Sequence, residues 1–311
     1  MGESTRKIIC LMPVYNDWES FNQLRQHIAK ELQAEAFEIV AVNDGSTEPQ
    51  PESLPEYCSV IDLKRNVGHQ RAIAIGLQYV AAEKTGFTHV VVLDSDGEDR
   101  PEDIKAMLEK CEAGNNQKII FAQRKKRNES LLFKTGYFFY KNSFYFMTGQ
   151  KINFGNFSCI PAGALTKVAL LDNIWNHYSG AIIQSRMPYD RLLLNRGTRY
   201  AGKSKMNFNS LILHGLSSIA VYFDVLSLRI LRFTLYGIAF CTVSVLYILY
   251  QKFFTDNAIP GWASSLILII SGIILQLFSV TLIVLLLQLS SRKNVQPPNA
   301  KLYREFIESQ P

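Results

Sequence analysis

The chain has 311 residues, 48% hydrophobic and only 19% charged, with a net charge of +6, enough for a buried core and too apolar for disorder. Its five cysteines (Cys10, Cys58, Cys111, Cys159 and Cys241) are scattered and odd in number, with no Cys-x-x-Cys pair, and its five histidines have no metal-ligand spacing. A disulfide scaffold and a cysteine-rich zinc module are therefore excluded.

From the N-terminus, β-rich runs at Ile8–Met12, Glu38–Val42, Val60–Leu63, His89–Leu93 and Lys118–Ala122 alternate with helical stretches near Trp18–Leu32, Gln70–Glu83 and Pro101–Cys111. Apolar strands without clean alternation, separated by helices, predict an α/β domain whose mostly parallel sheet is covered on both faces. This domain is expected over 1–205. Over 206–232, Phe208, Leu211, Ile212, Leu216, Ile219, Ala220 and Phe223 recur at helical spacing between flanking basic residues, which predicts an amphipathic helix in a membrane interface. A core helix of the soluble part is the plainer alternative.

Two uncharged apolar runs follow, Phe233–Tyr250 and Ala263–Leu289. Crossing a hydrocarbon core takes about 20 helical residues, so both are expected to span a membrane. Arg229, Arg232, Arg292 and Lys293 flank the pair, whereas the intervening loop holds only Lys252. The positive-inside rule then puts both termini, the tail 290–311 and the large N-terminal domain in the cytoplasm, as expected for a multi-pass protein of the inner (plasma) membrane with no secretory signal. Free cysteines agree with a reducing compartment.

Ligands of such sheets collect at the carboxyl ends of the strands. There the chain carries Pro13-Val14-Tyr15-Asn16-Asp17, Asn43-Asp44-Gly45-Ser46-Thr47, Arg65-Asn66-Val67-Gly68-His69 and Asp94-Ser95-Asp96-Gly97-Glu98-Asp99. Asp94 and Asp96 emerge on the same side of an extended segment, and Glu98 continues the row. Close carboxylates repel unless a cation sits among them, and their hard oxygens suit Mg²⁺ or Mn²⁺ clamping a diphosphate. Chance alone gives roughly one Asp-x-Asp in a chain this long, so the weight lies in its place at a strand end. No Walker loop is present, and no Gly-x-Gly-x-x-Gly follows the first strand. A metal-clamped diphosphate without a glycine-rich loop suggests a nucleotide-sugar.

These residues resemble the family 2 glycosyltransferases. The resemblance rests on Pro13-Val14-Tyr15-Asn16-Asp17, Asn43-Asp44-Gly45-Ser46, Asn66-Val67-Gly68 with Ala72 and Gly76 behind it, and Asp94-Ser95-Asp96. The segment Arg196–Lys205 looks like one in the polyprenyl-phosphate sugar transferases, the subgroup of dolichol-phosphate mannose synthase and the bactoprenol glucosyl transferases. The likeness covers almost the whole chain; the motifs are specific together and weak singly.

The resemblance implies a GT-A-type nucleotide-binding domain with two C-terminal membrane helices. It implies an inverting transfer of one sugar from a nucleoside-diphosphate sugar, a UDP-sugar favoured, to polyprenyl (undecaprenyl) phosphate at the bilayer, for cell-envelope glycans. Relatives also suggest a homo-oligomer. Carried over by position, Pro13, Tyr15 and Asp17 line the base and ribose pocket, Asp44 binds the base, and Asp94 and Asp96 hold the diphosphate through Mg²⁺ or Mn²⁺ with Glu98 as a further ligand. Arg124 matches an arginine that contacts the acceptor phosphate, although the run Arg124–Arg127 also reads as a solvated loop or a patch for anionic lipid. Lys134, Lys141 and Arg199, with Arg191 and Arg196, are further candidates for phosphate contact. A nucleic-acid partner is not expected, because the basic residues gather near the proposed membrane face.

Two departures stand out. Gly155-Asn156-Phe157-Ser158 replaces a common Gly-Asp-Phe-Arg, and His214-Gly215 replaces an Asp-Gly pair. Asn156, at the catalytic position, cannot act as a base. A phosphate monoester with a second pKa of about 6 is already ionised near pH 7, so none is needed. The rival readings are transfer to another lipid or glycan acceptor, and a catalytically silent membrane scaffold. A processive synthase is disfavoured, since Gln-x-x-Arg-Trp is absent.

Overall fold

The computed structural model describes residues 6–124, 142, 145–146, 149, 155–202, 217, 219–255, 261–293 and 299–309. The chain divides into two compact units, one of Met1–Thr135, Ile152–Val221 and Pro298–Pro311, the other of Gly136–Lys151 and Tyr222–Pro297.

The first unit is built on a sheet of β1 (Lys7–Val14), β2 (Ala36–Asn43), β3 (Cys58–Leu63), β4 (His89–Val92), β5 (Ile119–Arg124), β6 (Ser158–Pro161), β7 (Tyr189–Leu194) and β8 (Ile307–Ser309), in the order β7-β5-β6-β4-β1-β2-β3-β8. β1 runs parallel to β2 and β4, β2 to β3, and β5 to β7. Two strands oppose them: β6 between β4 and β5, and β8 along β3. The mostly parallel α/β architecture expected from the sequence is the one observed; the two antiparallel strands were not anticipated.

Helices α1 (Trp18–Glu31) and α3 (Ile104–Ala113) cover one face of the sheet, and α2 (His69–Glu83), α4 (Ala162–Ala169) and α5 (Tyr178–Gln184) the other. This is why β1 has no polar face: Ile8, Cys10, Met12 and Val14 turn toward α1 and α3, while Ile9 and Leu11 turn toward α2. Each large aliphatic side chain buried this way contributes about 1.5–3 kcal/mol. Near the middle of α2, a Cβ on Gly76 would lie 2.6 Å from Leu11 Cδ1 and 2.8 Å from Val42 Cγ2, so only glycine lets the helix press this closely on β1 and β2.

The chain returns to this sheet at its end. Tyr303 is fully buried, its ring edge-on to Tyr79, and its N–H donates to Gln78 Oε1 at 3.1 Å. Its hydroxyl donates to Glu83, and β8 then closes the open side of β3.

The second unit contains α6 (Phe223–Phe254) and α7 (Trp262–Lys293), each 32 residues and each long and apolar enough to cross a membrane. Their apolar side chains face outward, as with Phe240 and Leu268 at 74% and 75% exposure. They pack where Gly237 admits Leu277, and Thr281 Oγ1 donates to Thr234 Oγ1 at 2.8 Å. The runs 233–250 and 263–289 lie inside these helices. Of the amphipathic stretch 206–232, residues 206–216 and 218 fall outside the described residues, and from Phe223 the chain is already α6.

Candidate active site

The loops leaving β1 to β4 are tied into one surface by short polar side chains. Asn16, at φ 49, accepts from Thr47 N at 2.8 Å and Glu48 N at 3.0 Å through its Oδ1. Its own N–H donates to Ser46 Oγ at 2.9 Å. Asn43 Oδ1 accepts from Ser46 N, and its Nδ2 donates to Asp62 Oδ1 at 2.8 Å. Beside this loop Asn43, Ser46, Asp62 and Arg65 line a shallow, open depression of about 530 Å³.

Asp44 is 2% exposed. Its Oδ1 accepts from Val67 N at 2.7 Å and its Oδ2 from Gly68 N at 3.0 Å, so it fixes the start of α2. Burial pushes its carboxyl up to about 6, against the pull of those two N–H groups and of His69. Asp44, expected from the sequence to bind the base, is here a carboxylate that pins a loop. Gly45 is forced by space: at φ +65, a Cβ would sit 2.5 Å from Asn66 N.

The acidic turn after β4 is folded by its own side chains. Asp99, 3% exposed, accepts Asp94 N at 3.0 Å, and Asp96 Oδ1 accepts Glu98 N at 2.9 Å. The remaining charge meets cations. His69 Nε2 lies 3.2 Å from Asp94 Oδ1, Arg199 Nη1 lies 3.0 Å from Asp96 Oδ2, and Arg196 pairs with Glu98. Arg199 also holds Asp17 through its other terminal nitrogen. The strap carrying these arginines docks through Gly197 N to Glu98 O at 2.9 Å and Tyr200 N to Asp96 O at 3.0 Å. Tyr200 Oη then meets His27 Nδ1 at 2.7 Å on α1.

His69 heads α2 and joins three elements. Burial disfavours its charge, but Asp94, with Asp44 and Asp99 behind it, outweighs this and raises its pKa. Asn156 Nδ2 sits 2.9 Å from the same Nε2, and Asn156 Oδ1 accepts from Gln70 Nε2 at 3.3 Å. Ser158 supports this loop, donating to Asn156 O at 2.9 Å and meeting Tyr178 Oη at 2.7 Å in the core.

The structure therefore brings together Asp17, Asp44, Asp94, Asp96, Glu98, Asn156 and Arg199. Pro13 is buried within β1, and Tyr15 projects from its end, 42% exposed. Arg124 ends β5. Lys134 and Lys141 lie outside the described residues. Arg191 lies over the Tyr189 ring, 5.6 Å from its centre. Sequence reasoning gave no separate role to His69 and Asn16, although both stand in the polar segments at the strand ends. The clue to Asn16 was its place among turn-forming residues; His69 had only its place after a strand.

Asp94, Asp96 and Glu98 offer oxygen donors, a set suited to a hard divalent ion of the Mg²⁺ or Mn²⁺ kind. An ion held by Asp96 has to compete with Arg199, which now supplies the positive charge there.

Comparison with known proteins agrees with this geometry. The chain is 28% identical over 291 residues to an uncharacterized glycosyltransferase, YkcC, of Bacillus subtilis (strain 168), covering 87% of this chain and 85% of that one. It is 31% identical over 144 residues to an undecaprenyl-phosphate 4-deoxy-4-formamido-L-arabinose transferase of Yersinia pestis (strain Pestoides F), a match spanning 43% of this chain and 42% of that one. The crystal structure of glucosyl-3-phosphoglycerate synthase from Mycobacterium tuberculosis with Mn²⁺, uridine-diphosphate-glucose and phosphoglyceric acid shares its fold, with a TM-score of 0.50 at 12% identity over 72% of this chain and 81% of that chain. The profile described as glycosyl transferase family 2 matches residues 9–175, from β1 past Asn156 and so through every carboxylate of the acidic turn. With more than half of its length matched, and with a GT-A-like sheet carrying the clustered carboxylates at its strand ends, the chain belongs to glycosyl transferase family 2.

Proposed function

We propose that this glycosyltransferase is inverting and moves one sugar from a nucleoside-diphosphate sugar, a UDP-sugar favoured, to polyprenyl phosphate at a membrane surface. The observation that carries the reading is the joining, in one chain, of the carboxylate turn after β4 to two helices long enough to cross a membrane. The partial likeness to an undecaprenyl-phosphate transferase supports undecaprenyl phosphate as the acceptor. The product is a lipid-linked sugar for cell-envelope glycans.

In this reading Tyr15, Asp17 and Asp44, with Pro13 beneath them, form the base and ribose side of the donor site. Asp94 and Asp96, with Glu98 beside them, would hold Mg²⁺ or Mn²⁺, which when bound offsets charge on the departing nucleoside diphosphate. An ionised phosphate oxygen of the acceptor attacks the anomeric carbon as the bond from that carbon to the diphosphate oxygen breaks. No proton has to be removed, so Asn156 serves by position, aligning His69 and the sugar. Arg124, Lys134, Lys141 and Arg199 are assigned to phosphate contact.

The membrane reading gains support from topology. Residues before α6 and after α7 belong to one sheet through the pairing of β8 with β3, so a hairpin of two crossings returns to the side it left. The basic residues flanking that hairpin support a cytoplasmic position for this side and both termini.

The test is sugar transfer by purified protein in detergent. Labelled UDP- and GDP-sugars are offered with Mg²⁺ or Mn²⁺, with and without undecaprenyl phosphate. Lipid-extractable label from one donor, dependent on the lipid and lost with EDTA, is expected. Transfer to a different acceptor would move the chain elsewhere in its family, and nucleotide binding without transfer to any acceptor would favour a silent scaffold.

A further inference from the structure

The sequence gives its histidines and cysteines no metal-ligand spacing, yet the fold gathers three of them. His89 opens β4, Cys159 lies in the antiparallel β6, and Cys111 sits in the last turn of α3 across that face of the sheet. All three are buried, His89 at 1% and both cysteines at 0% exposure. One ligand atom from each lies within 4.8 Å of the other two. We infer that His89, Cys111 and Cys159 form a second metal site, separate from the acidic turn, for a zinc-class divalent ion.

The chemistry of the three side chains matches that ion. In a tetrahedral zinc site, of which these three would supply all but one ligand, bonds of about 2.3 Å to sulfur and 2.0–2.1 Å to nitrogen put neighbouring ligand atoms about 3.5–3.8 Å apart, so modest side-chain rotation closes the triangle. Two thiolates and a neutral imidazole around a divalent ion sum to zero charge, which suits a fully buried position. Hard ions such as Mg²⁺ are disfavoured by sulfur, so the two sites select different metals.

The surroundings supply the outer shell that such ligands need. One ring nitrogen of His89 is 2.9 Å from Asn116 Oδ1 and the other 3.0 Å from Thr88 Oγ1. To hold an ion, one ring nitrogen has to give up its oxygen partner, and the other then keeps the partner that orients the ring. Held this way, α3 would be fastened to β4 and β6, and the ion would enter as the chain folds.

The probe is Co²⁺, supplied in the growth medium during production of the full chain. Purified protein is expected to carry about one Co²⁺ per chain and to show thiolate-to-cobalt charge-transfer absorption with tetrahedral visible bands. Cys111→Ser and Cys159→Ser should each abolish the charge-transfer signal of the two-thiolate site or reduce it by about half, and His89→Gln should alter the visible bands. Asp96→Asn should leave the spectrum unchanged, separating this site from the acidic turn. Should the cysteine variants not fold, the wild-type absorption, read as the number of thiolates per cobalt, decides. Folded protein without these bands, bands that persist in the double cysteine variant, or a Cys111–Cys159 disulfide in freshly isolated protein would each overturn the site.

Discussion

Arg199 donates from Nη1 to Asp96 Oδ2 at 3.0 Å while its other terminal nitrogen holds Asp17, so one guanidinium joins the end of β1 to the turn after β4. Both carboxylates are largely buried, with side-chain exposures of 14% for Asp17 and 19% for Asp96. Arg199→Ala leaves two acids short of a donor and is expected to cost about 1–3 kcal/mol of stability. It also frees Asp96 from a competing cation. Added Mn²⁺ should therefore raise the melting temperature of the variant more than that of the wild type, and thermal unfolding with and without Mn²⁺ checks both effects.

Asp96→Asn removes one charge from the proposed ion's site while keeping the side chain's shape. Sugar transfer should fall on the order of 100-fold or more. The Mn²⁺-induced rise in melting temperature should shrink with it. A variant that transfers sugar at the wild-type rate would remove Asp96 from the chemistry.

Gly97 stands at φ +86, and a Cβ there would lie 2.4 Å from the Tyr200 ring. Gly97→Ala is expected to destabilise by roughly 1–3 kcal/mol through backbone strain and the collision together. Pairing it with Tyr200→Ala relieves the collision alone, so the double variant should be more stable than the two single losses added together. Denaturant unfolding of the four proteins measures the difference.

Asp44 makes stability depend on pH in a definite direction. Its carboxyl is held at about 6 by burial, against an ordinary value near 3.9 in the unfolded chain. The folded state therefore favours the protonated form. That contribution is fully present below about pH 4 and is lost as pH rises through about 6, amounting to about 3 kcal/mol. Asp44→Asn should lack this slope, and its amide also sets N–H groups against one of the two backbone donors of Val67 and Gly68. Unfolding free energies of both proteins between pH 4 and 7 test the sign.

How much of this was legible in the sequence depended on whether the signal was local. β1 to β5 and α1 to α3 were readable because each is an apolar run with its own punctuation, and a sheet buried on both faces leaves no polar alternation to mislead. β6 was not, since Ser158-Cys159-Ile160-Pro161 is four residues long and ends in proline. β8 has three residues and exists through its pairing with β3. At the site, the acids announced themselves by spacing, but their cations did not. Arg196 and Arg199 reach Glu98 and Asp96 across about a hundred residues, and His69 reaches Asp94 from the start of α2. Such pairings are products of the fold, as is the meeting of His89 with Cys111 and Cys159.

The return of the chain through Tyr303 to β8 makes the helical hairpin an insertion within the enzyme, with part of the sheet encoded on its far side. Cutting the gene before α6 to obtain a water-soluble protein would delete the edge strand and uncover β3, inviting edge-to-edge aggregation. It would also empty the space that Tyr303 fills beside Tyr79 and leave Gln78 without its N–H partner. Excising the hairpin and joining Val221 to Asn299 through a flexible spacer would instead retain Tyr303 and β8, and is expected to give a better folded protein than truncation before α6.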